Sequence, residues 1–530
     1  VYRTTLAAFA FLASACGPSF VAPQTPPDLE RADAADGIEA WFCPTDDTVA
    51  VELAEIARVV DERRADPATY ADGQNPYRIR YAVYNVRNPS IVQALGDARD
   101  AGVEVRIVID ADQLDPARDW NTADETLRDR GFSYAPDHRA LTAAQRLDTE
   151  LLGFGGAGLF HLKTRLFLTP TERTLITGSM NPGDDAVFND ETFHLVHDTG
   201  IVDRYERFVD ALLLGTPVVN EWTDTGLDVL FNPESSGPDA GAQLLRWLQE
   251  EDEQILLMVF SLRDLTASGV SGSLSTILGE KVRQGVPVVL VTDRNQSDGY
   301  PDSTEDRLRA LGVHVYEARN LTTEFTAMHH KVAILGRTRL RVVTDAANWS
   351  KAGLGSATAR ADNQESTLFY EDRYDGGRMG RRYLAEFVRV LETYADQSAP
   401  EREPSFADFG AALLDHPEWP AQEVSFVADR AVTQWGEDIH VLGDLPALGV
   451  WGDAGLGVGL TTDADLYPTW VARDLVAVPV GTSFSWKFVA VQGGVVSRWE
   501  SGSDREGRAR PDAAGPNDDL VQLAEGDFRE

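Results

Sequence analysis

The strongest constraint on this chain is that a stretch of it is written twice. Residues 77–84 (YRIRYAVY) alternate like a strand, 91–101 keep helical spacing, and 103–110 (VEVRIVID) read as an apolar strand. The same order returns at 254–260 (QILLMVF), 274–284 and 286–293 (VPVVLVTD). DARDAGVEVRIVIDADQ and KVRQGVPVVLVTDRNQ can be laid over one another, which indicates an internal duplication. Alternating strand, helix and strand calls for a sheet with helices on both faces, because each crossover packs back onto the sheet. The expected class is α/β, with one unit over 41–215, a second over 216–398, and a cleft where they meet.

Each unit continues with a second matching set. LFHLKTRLFL precedes LITGSMNPGDDAVFNDETFHLV in the first, and AMHHKVAILG precedes VVTDAANWSKAGLGSATARADNQESTLFY in the second. Both hold His-x-Lys (His161/Lys163 and His329/Lys331), then an Asn (Asn181, Asn348), then Asn-x-Glu (Asn189/Glu191, Asn363/Glu365). The chain has only five lysines, Lys163, Lys281, Lys331, Lys351 and Lys487, the rest of its 48 basic residues being Arg. With nine His and five Lys, far less than one His-x-Lys pair is expected by chance, so two at equivalent places are signal. Surface residues on an exposed strand would not repeat in this way.

Period two on a strand sets each His and its Lys on one face. Two imidazoles, two ammoniums and two carboxamides converging across a twofold junction suit a phosphodiester. The ammoniums and amides neutralise the non-bridging oxygens as charge builds at phosphorus. One imidazole attacks in line and becomes phosphohistidine; the other protonates the leaving oxygen and then deprotonates water. A carboxylate on each ring fixes the tautomer, and Glu191 and Glu365 are the candidates. This chemistry needs no metal and no cofactor.

These motifs resemble the phospholipase D superfamily, whose signature is a doubled His-x-Lys-x4-Asp followed by Gly-Ser-x-Asn and Asn-x-Glu. HLK, GSMN and NDE of the first half match it fully, over a resemblance spanning about residues 41–398. It implies a duplicated phospholipase D-type α-β-α sandwich, with His161 the nucleophile, His329 the acid and Ser179 a substrate-side hydroxyl. The chain departs from the signature in three places. Its Asp falls at Leu168 and at Gly336, and the second-half Gly-Ser becomes Asp345-Ala346. His330, the middle residue, is expected on the opposite face. Family members act on phospholipid headgroups, cut nucleic acids or condense lipids. Of these, phospholipid hydrolysis is the leading expectation; a nuclease or a catalytically inactive surface adhesin are the alternatives. Against 85 acidic residues the 48 basic ones leave a net charge of -37, which disfavours a long polyanion as partner.

The ends of the chain carry separate readings. Residues 1–20 place Arg3 ahead of an apolar run too short to cross a bilayer, which reads as an export signal. Ala13-Ser14-Ala15-Cys16 resembles a lipoprotein cleavage site, implying a lipidated Cys16 that anchors an exported protein in the outer membrane or at the cell surface. Residues 21–40 read as a tether. Two cysteines, Cys16 and Cys43, exclude a disulfide scaffold, and Cys43 is expected buried.

After a Pro-bearing linker at 399–422, with one short helix expected over Phe406–Leu414, strand-like runs separated by Gly, Asp and Pro read as a C-terminal all-β sandwich over 423–530. Five of the eleven Trp lie in it: Trp435, Trp451, Trp470, Trp486 and Trp499. VTQWGEDIHVLGDLPALGVW, SWKFV and WESGSDR resemble the family-20 starch-binding carbohydrate-binding modules. By that resemblance Trp451 and Trp499 stack on an α-glucan, Lys487 bonds a sugar hydroxyl, and Trp435 supplies a second contact. Trp470 and Trp486 are expected in the core, Asp504 stands where the family commonly has Asn, and 506–530 are expected to fray.

Overall fold

The computed structural model describes residues 37–71, 73–114, 123–183, 186–297, 304–318, 327–337, 339–395, 421–452, 456–464, 466–479, 483–509 and 521–529. Residues 1–20 read as an export signal, Cys16, most of the span 21–40 read as a tether and the helix expected over Phe406–Leu414 lie outside them.

The first sheet runs β1 (Ile38–Cys43), β8 (Glu191–Val196), β7 (Arg173–Gly178), β6 (Lys163–Leu168), β2 (Arg78–Val83), β3 (Glu104–Asp110), β5 (Leu151–Phe154), β4 (Tyr134–Ala135). The second runs β9 (Leu227–Asn232), β15 (Glu365–Glu371), β14 (Arg341–Asp345), β13 (Lys331–Leu335), β10 (Ile255–Val259), β11 (Val288–Asp293), β12 (His314–Ala318). Seven strands coincide in order and only the two-residue edge strand β4 has no counterpart, so the duplication read in the sequence is a duplication of topology. β2 pairs β3, and β10 pairs β11, in parallel across a helical crossover (Pro89–Asp100 and Leu274–Arg283). The return strands β6 and β13 are antiparallel to them.

Each sheet buries one face under helices of its own half. Val51, Ile56, Ile91 and Leu95 do this in the first, and Leu244, Leu248, Leu274 and Leu278 in the second. The other two faces share one core. Leu166 and Tyr205 of the first half lie in a single cluster with Met258, Val332, Tyr383 and Phe387 of the second. Helices Thr199–Leu214 and Arg378–Ala395 contribute to that shared layer. A continuous apolar core is what holds two halves in one relative position, because it cannot slide without exposing that surface.

The C-terminal sheet runs β20 (Val476–Pro479), β16 (Ala421–Asp429), β19 (Trp470–Ala472), β18 (Val458–Thr461), β17 (Glu437–Gly443), β21 (Ser483–Gln492), β22 (Val495–Trp499). It curls around a core of Phe426, Val441, Trp470, Trp486 and Phe488 into the expected sandwich. Three expectations are corrected. β16 starts at Ala421, inside the span read as linker. Residues 470–478, whose apolar pattern reads as one strand-like run, form two strands, broken where Arg473, Asp474 and Leu475 turn out to solvent. The tail does not fray throughout. β23 (Arg505–Arg508) pairs β21, and β24 (Val521–Asp527) pairs β16 in parallel, with Phe528 buried and Arg529 bonded to Glu500. Its charge hid the strand, because β24 is an edge on which Glu525 and Asp527 are exposed.

Candidate active site

The two His-x-Lys segments meet where the halves meet. His161 and His329 lie just before β6 and β13 rather than on them, with Lys163 and Lys331 as the first strand residues. This corrects the expectation of strand-borne imidazoles, and the reason is visible in the backbone. Each His segment leaves its own sheet to bridge the opposite half. Phe160 pairs with Gln364 and Met328 with Asp190, both in parallel. His161 N donates to Gln364 O at 3.0 Å, and His329 N donates to Asp190 O at 2.9 Å.

That crossing decides which carboxylate holds which ring. His161 Nδ1 lies 2.8 Å from Glu365 Oε2, and His329 Nδ1 lies 2.8 Å from both Glu191 oxygens. Each imidazole is therefore held by the carboxylate of the other half. The Asn of each Asn-x-Glu serves the same crossing. Asn363 donates to Glu365 (3.1 Å) and accepts from Leu159 N (2.9 Å), while Asn189 donates to Glu191 (3.4 Å) and accepts from Ala327 N (2.9 Å). Asp110 accepts from Phe160 N at 2.7 Å, and Asp293 accepts likewise from Met328 N. Lys163 Nζ donates to His161 O at 2.7 Å and Lys331 Nζ to His329 O at 2.6 Å, so each ammonium is tied beside its own imidazole. Tyr84 and Phe260 pack against the rings, with centroids 5.5 and 4.4 Å away.

Asn181 and Asn348 sit just past the ends of β7 and β14, half-buried, and their carboxamide oxygens have no hydrogen-bond partner among the described residues. Ser179 is not turned to substrate: its hydroxyl donates to Glu191 at 2.6 Å and it accepts from Thr192 N at 2.8 Å. The substrate-side role expected for it is corrected to a carboxylate-holding one. His330 does point away from the site, to Glu386 (2.9 Å) and Thr192 (2.9 Å). Cys43 is fully buried.

Burial pushes every charge in this cluster toward its neutral form. It raises Glu191 to about 7 and Glu365 to about 8, and lowers Lys163 to about 8 and Lys331 to about 7. Burial, followed by the charges of Lys163 and Lys331, holds His161 well below the usual imidazole range; His329 is depressed by burial and the same two ammoniums. With Nδ1 engaged by a carboxylate, Nε2 is the nitrogen of each ring left for chemistry. Among the described residues no group of three or more His, Cys, Asp or Glu is arranged to hold a metal.

In the C-terminal domain Trp451 and Trp499 face one another with centroids 6.4 Å apart and planes at 36°. Val450 and Trp451 take left-handed φ (50° and 58°), and Trp451 is half-buried. Trp499 is 42% and Trp435 99% exposed, whereas Trp470 and Trp486 are buried. Lys487 Nζ donates to Gly502 O at 2.7 Å and lies 3.5 Å from Asp504 Oδ1, so it braces the loop following Trp499.

Residues 74–213 match the family model described as "Cardiolipin synthase, PLD-like domain", and residues 421–515 match the one described as "Starch binding domain". The chain carries a phospholipase D-like domain and a family-20 starch-binding domain. Among curated proteins, glucan 1,4-alpha-maltotetraohydrolase of Roseateles saccharophilus is 33% identical over 94 residues, 17% of this chain and 16% of that protein. The chain thus spans only a small part of the curated relatives it matches. Among solved structures, phosphatidylserine synthase of Haemophilus influenzae is 10% identical, covering 68% of this chain and 89% of its own, with a TM-score of 0.42. The phospholipase D family member Nuc of Salmonella typhimurium is 19% identical, covering 31% of this chain and 93% of its own, with a TM-score of 0.24.

The two positions at which the sequence lacks the expected Asp are structural. Leu168 is buried in β6, and Gly336 takes φ +87° where a Cβ would sit 2.5 Å from Arg339 O. Sequence reading missed Asp110, Asp293, Tyr84 and Phe260. The first two were present in the repeat itself, as the shared final Asp of VEVRIVID and VPVVLVTD.

Proposed function

We propose that the phospholipase D-like domain hydrolyses phosphodiesters through a phosphohistidine, with phospholipid headgroups the leading substrate class, while the starch-binding domain holds the protein on α-glucan. The observation that carries this reading is the crossed pair of imidazole–carboxylate contacts with a lysine tied beside each ring. His161 Nε2 attacks phosphorus in line; the P–O bond to the leaving group breaks, and His329 gives that oxygen its proton. His329 then takes a proton from water, whose oxygen attacks phosphorus and releases His161 with a phosphate monoester. Lys163 and Lys331 neutralise the non-bridging oxygens throughout.

The order of roles follows from an asymmetry. Glu191 accepts from both Ser179 and Asn189, whereas Glu365 accepts from Asn363 with an alanine, Ala346, where a serine would stand. Extra donors favour the anion, so Glu191 is the better partner for an imidazolium at His329, and His161 is left neutral as nucleophile. In the free protein both rings are neutral. An anionic diester between the lysines offsets their charge and lets His329 take up the proton it must give. Trp451 and Trp499 would stack on sugar rings, with Trp435 a second contact. Residues 1–20 we read as an export signal with Cys16 lipidated, which would place the enzyme at a membrane.

The test is a diester panel (phosphatidylcholine, bis-p-nitrophenyl phosphate, DNA) with EDTA present. Headgroup release lost in His161→Ala supports the reading. Degradation of DNA alone would make the protein a nuclease, and equal inertness of wild type and His161→Ala would leave a glucan adhesin.

A further inference from the structure

The two halves differ most sharply at the residue preceding Ser179 and its counterpart Ala346. In the first half it is Gly178, at φ +136°, where a Cβ would lie 2.3 Å from Thr192 O. In the second half the equivalent strand-end residue is Asp345, which holds φ +109° without being glycine and is fully buried. A non-glycine residue in that region is strained and persists where its surroundings hold it. Here they do. The Asp345 carboxylate crosses the junction to the first half, accepting from Thr177 Oγ1 at 2.8 Å and from Tyr205 OH at 2.5 Å. The ends of β7 and β14 touch at this point.

Thr177 is two residues before Ser179, the residue that fastens Glu191, and it lies on β7, which pairs β6, the strand whose first residue is Lys163. We propose that Asp345 is a positioning residue for the first half's catalytic set: a carboxylate lent by the second half that fixes the Thr177–Ser179 segment and sustains the positive charge of Lys163. It does this in a chain whose signature acidic positions are Leu168 and Gly336. This rests on the hydrolytic reading above for its catalytic meaning, though not for its structural content.

The charged and titratable groups around the pair are few. Lys163 interacts with Glu365, Glu191, Asp345 and Arg165, and its charge bears on His161 and Lys331. Asp345 faces Tyr205 and Lys163, and its charge reaches Tyr383. Burial raises Asp345 to about 6, with the Ser366, Tyr205 and Thr177 hydrogen bonds and Lys163 acting the other way. At neutral pH it is therefore the anion the proposal needs.

The test compares wild type with Asp345→Asn, which keeps shape and loses charge, and Asp345→Gly, which copies the first half and relieves the backbone. With five lysines in the chain, lysine 13Cε NMR titration of deuterated protein can follow Lys163 directly, assigned with Lys163→Met. A fall of about half to one pH unit in the Lys163 midpoint is expected in both variants. The alkaline limb of kcat/KM on bis-p-nitrophenyl phosphate, which loss of the Lys331 proton begins at about 7, should steepen and move down by less. A Lys163 titration unchanged in both variants would overturn the proposal, whatever either does to Tm. If wild type were inert on every diester the hydrolytic reading would fail alone, since the NMR titration decides the Asp345 claim without turnover.

Discussion

Apart from the short edge strand β4 the first and second halves have matching strands in the same order, and nearly every contact at one imidazole has a twin at the other. The differences include Ser179 against Ala346, Gly178 against Asp345, Tyr84 against Phe260, and two Glu191 oxygens at His329 against one Glu365 oxygen at His161. In a perfectly symmetric pair of rings only the bound diester could divide the labour, whereas here the protein itself distinguishes them. The lesson is that the catalytic groups are duplicated while the residues that bias them are not.

The sharpest way to break that comparison is to remove each ring in turn. His161→Ala should abolish turnover of every diester, by about ten-thousandfold or more. His329→Ala should lose about a hundred- to ten-thousandfold on an alkyl leaving group but far less on p-nitrophenolate, which leaves without a proton. Steady-state rates on the two ester types decide it. Equal losses from both variants on both esters would mean the roles are not divided.

A smaller effect is expected from making the halves alike. Ser179→Ala removes a buried hydroxyl from Glu191, worth about 1–3 kcal/mol. Activity should fall roughly ten- to a hundredfold, with the loss concentrated on poor leaving groups if Glu191 serves the acid. A uniform loss would point to misfolding of the β7 end instead.

The lysines offer a pH reading. Burial depresses both, so the ammonium form is lost as pH rises through about 7 for Lys331 and about 8 for Lys163. kcat/KM should accordingly decline above pH 7–8. In the complex the bound anion favours the charged form, so the alkaline limb of kcat should lie higher than that of kcat/KM. Coincident limbs would show that the lysines do not meet the phosphate.

The gentlest contrast is between the exposed and buried tryptophans of the starch-binding domain. Trp451→Ala and Trp499→Ala should each weaken amylose retention by about tenfold, and Trp435→Ala by less, with Tm nearly unchanged. Trp470→Ala and Trp486→Ala should instead lower Tm, because large-to-small changes in a core cost about 3–5 kcal/mol. Affinity electrophoresis in amylose gels, with melting curves beside it, separates the two groups.

Much of this was legible without coordinates. A repeat of strand, helix and strand can be read in one dimension because burial imposes a period on the chain, and a rare residue pair appearing twice marks chemistry by its improbability. Trp470 and Trp486 could be assigned to the core for the same reason, flanked as they are by strand-patterned neighbours. What stayed hidden depended on approach between distant segments. That β24 is a strand follows from its partner β16 about a hundred residues earlier and not from its own acidic composition. That Lys487 is anchored to the carbonyl of Gly502 likewise depends on a loop fifteen residues further on.

By itself the sequence determined that two α/β copies exist, that each brings an imidazole, an ammonium and a carboxylate, and that an aromatic-rich β domain follows. It did so because periodicity and residue chemistry are local properties. Only the tertiary structure decided that Glu365 serves His161, that Glu191 serves His329, and that Asp345 reaches Thr177 across the junction. Those pairings join residues far apart in the chain, and what brings them within hydrogen-bond distance is the apolar core the two halves share.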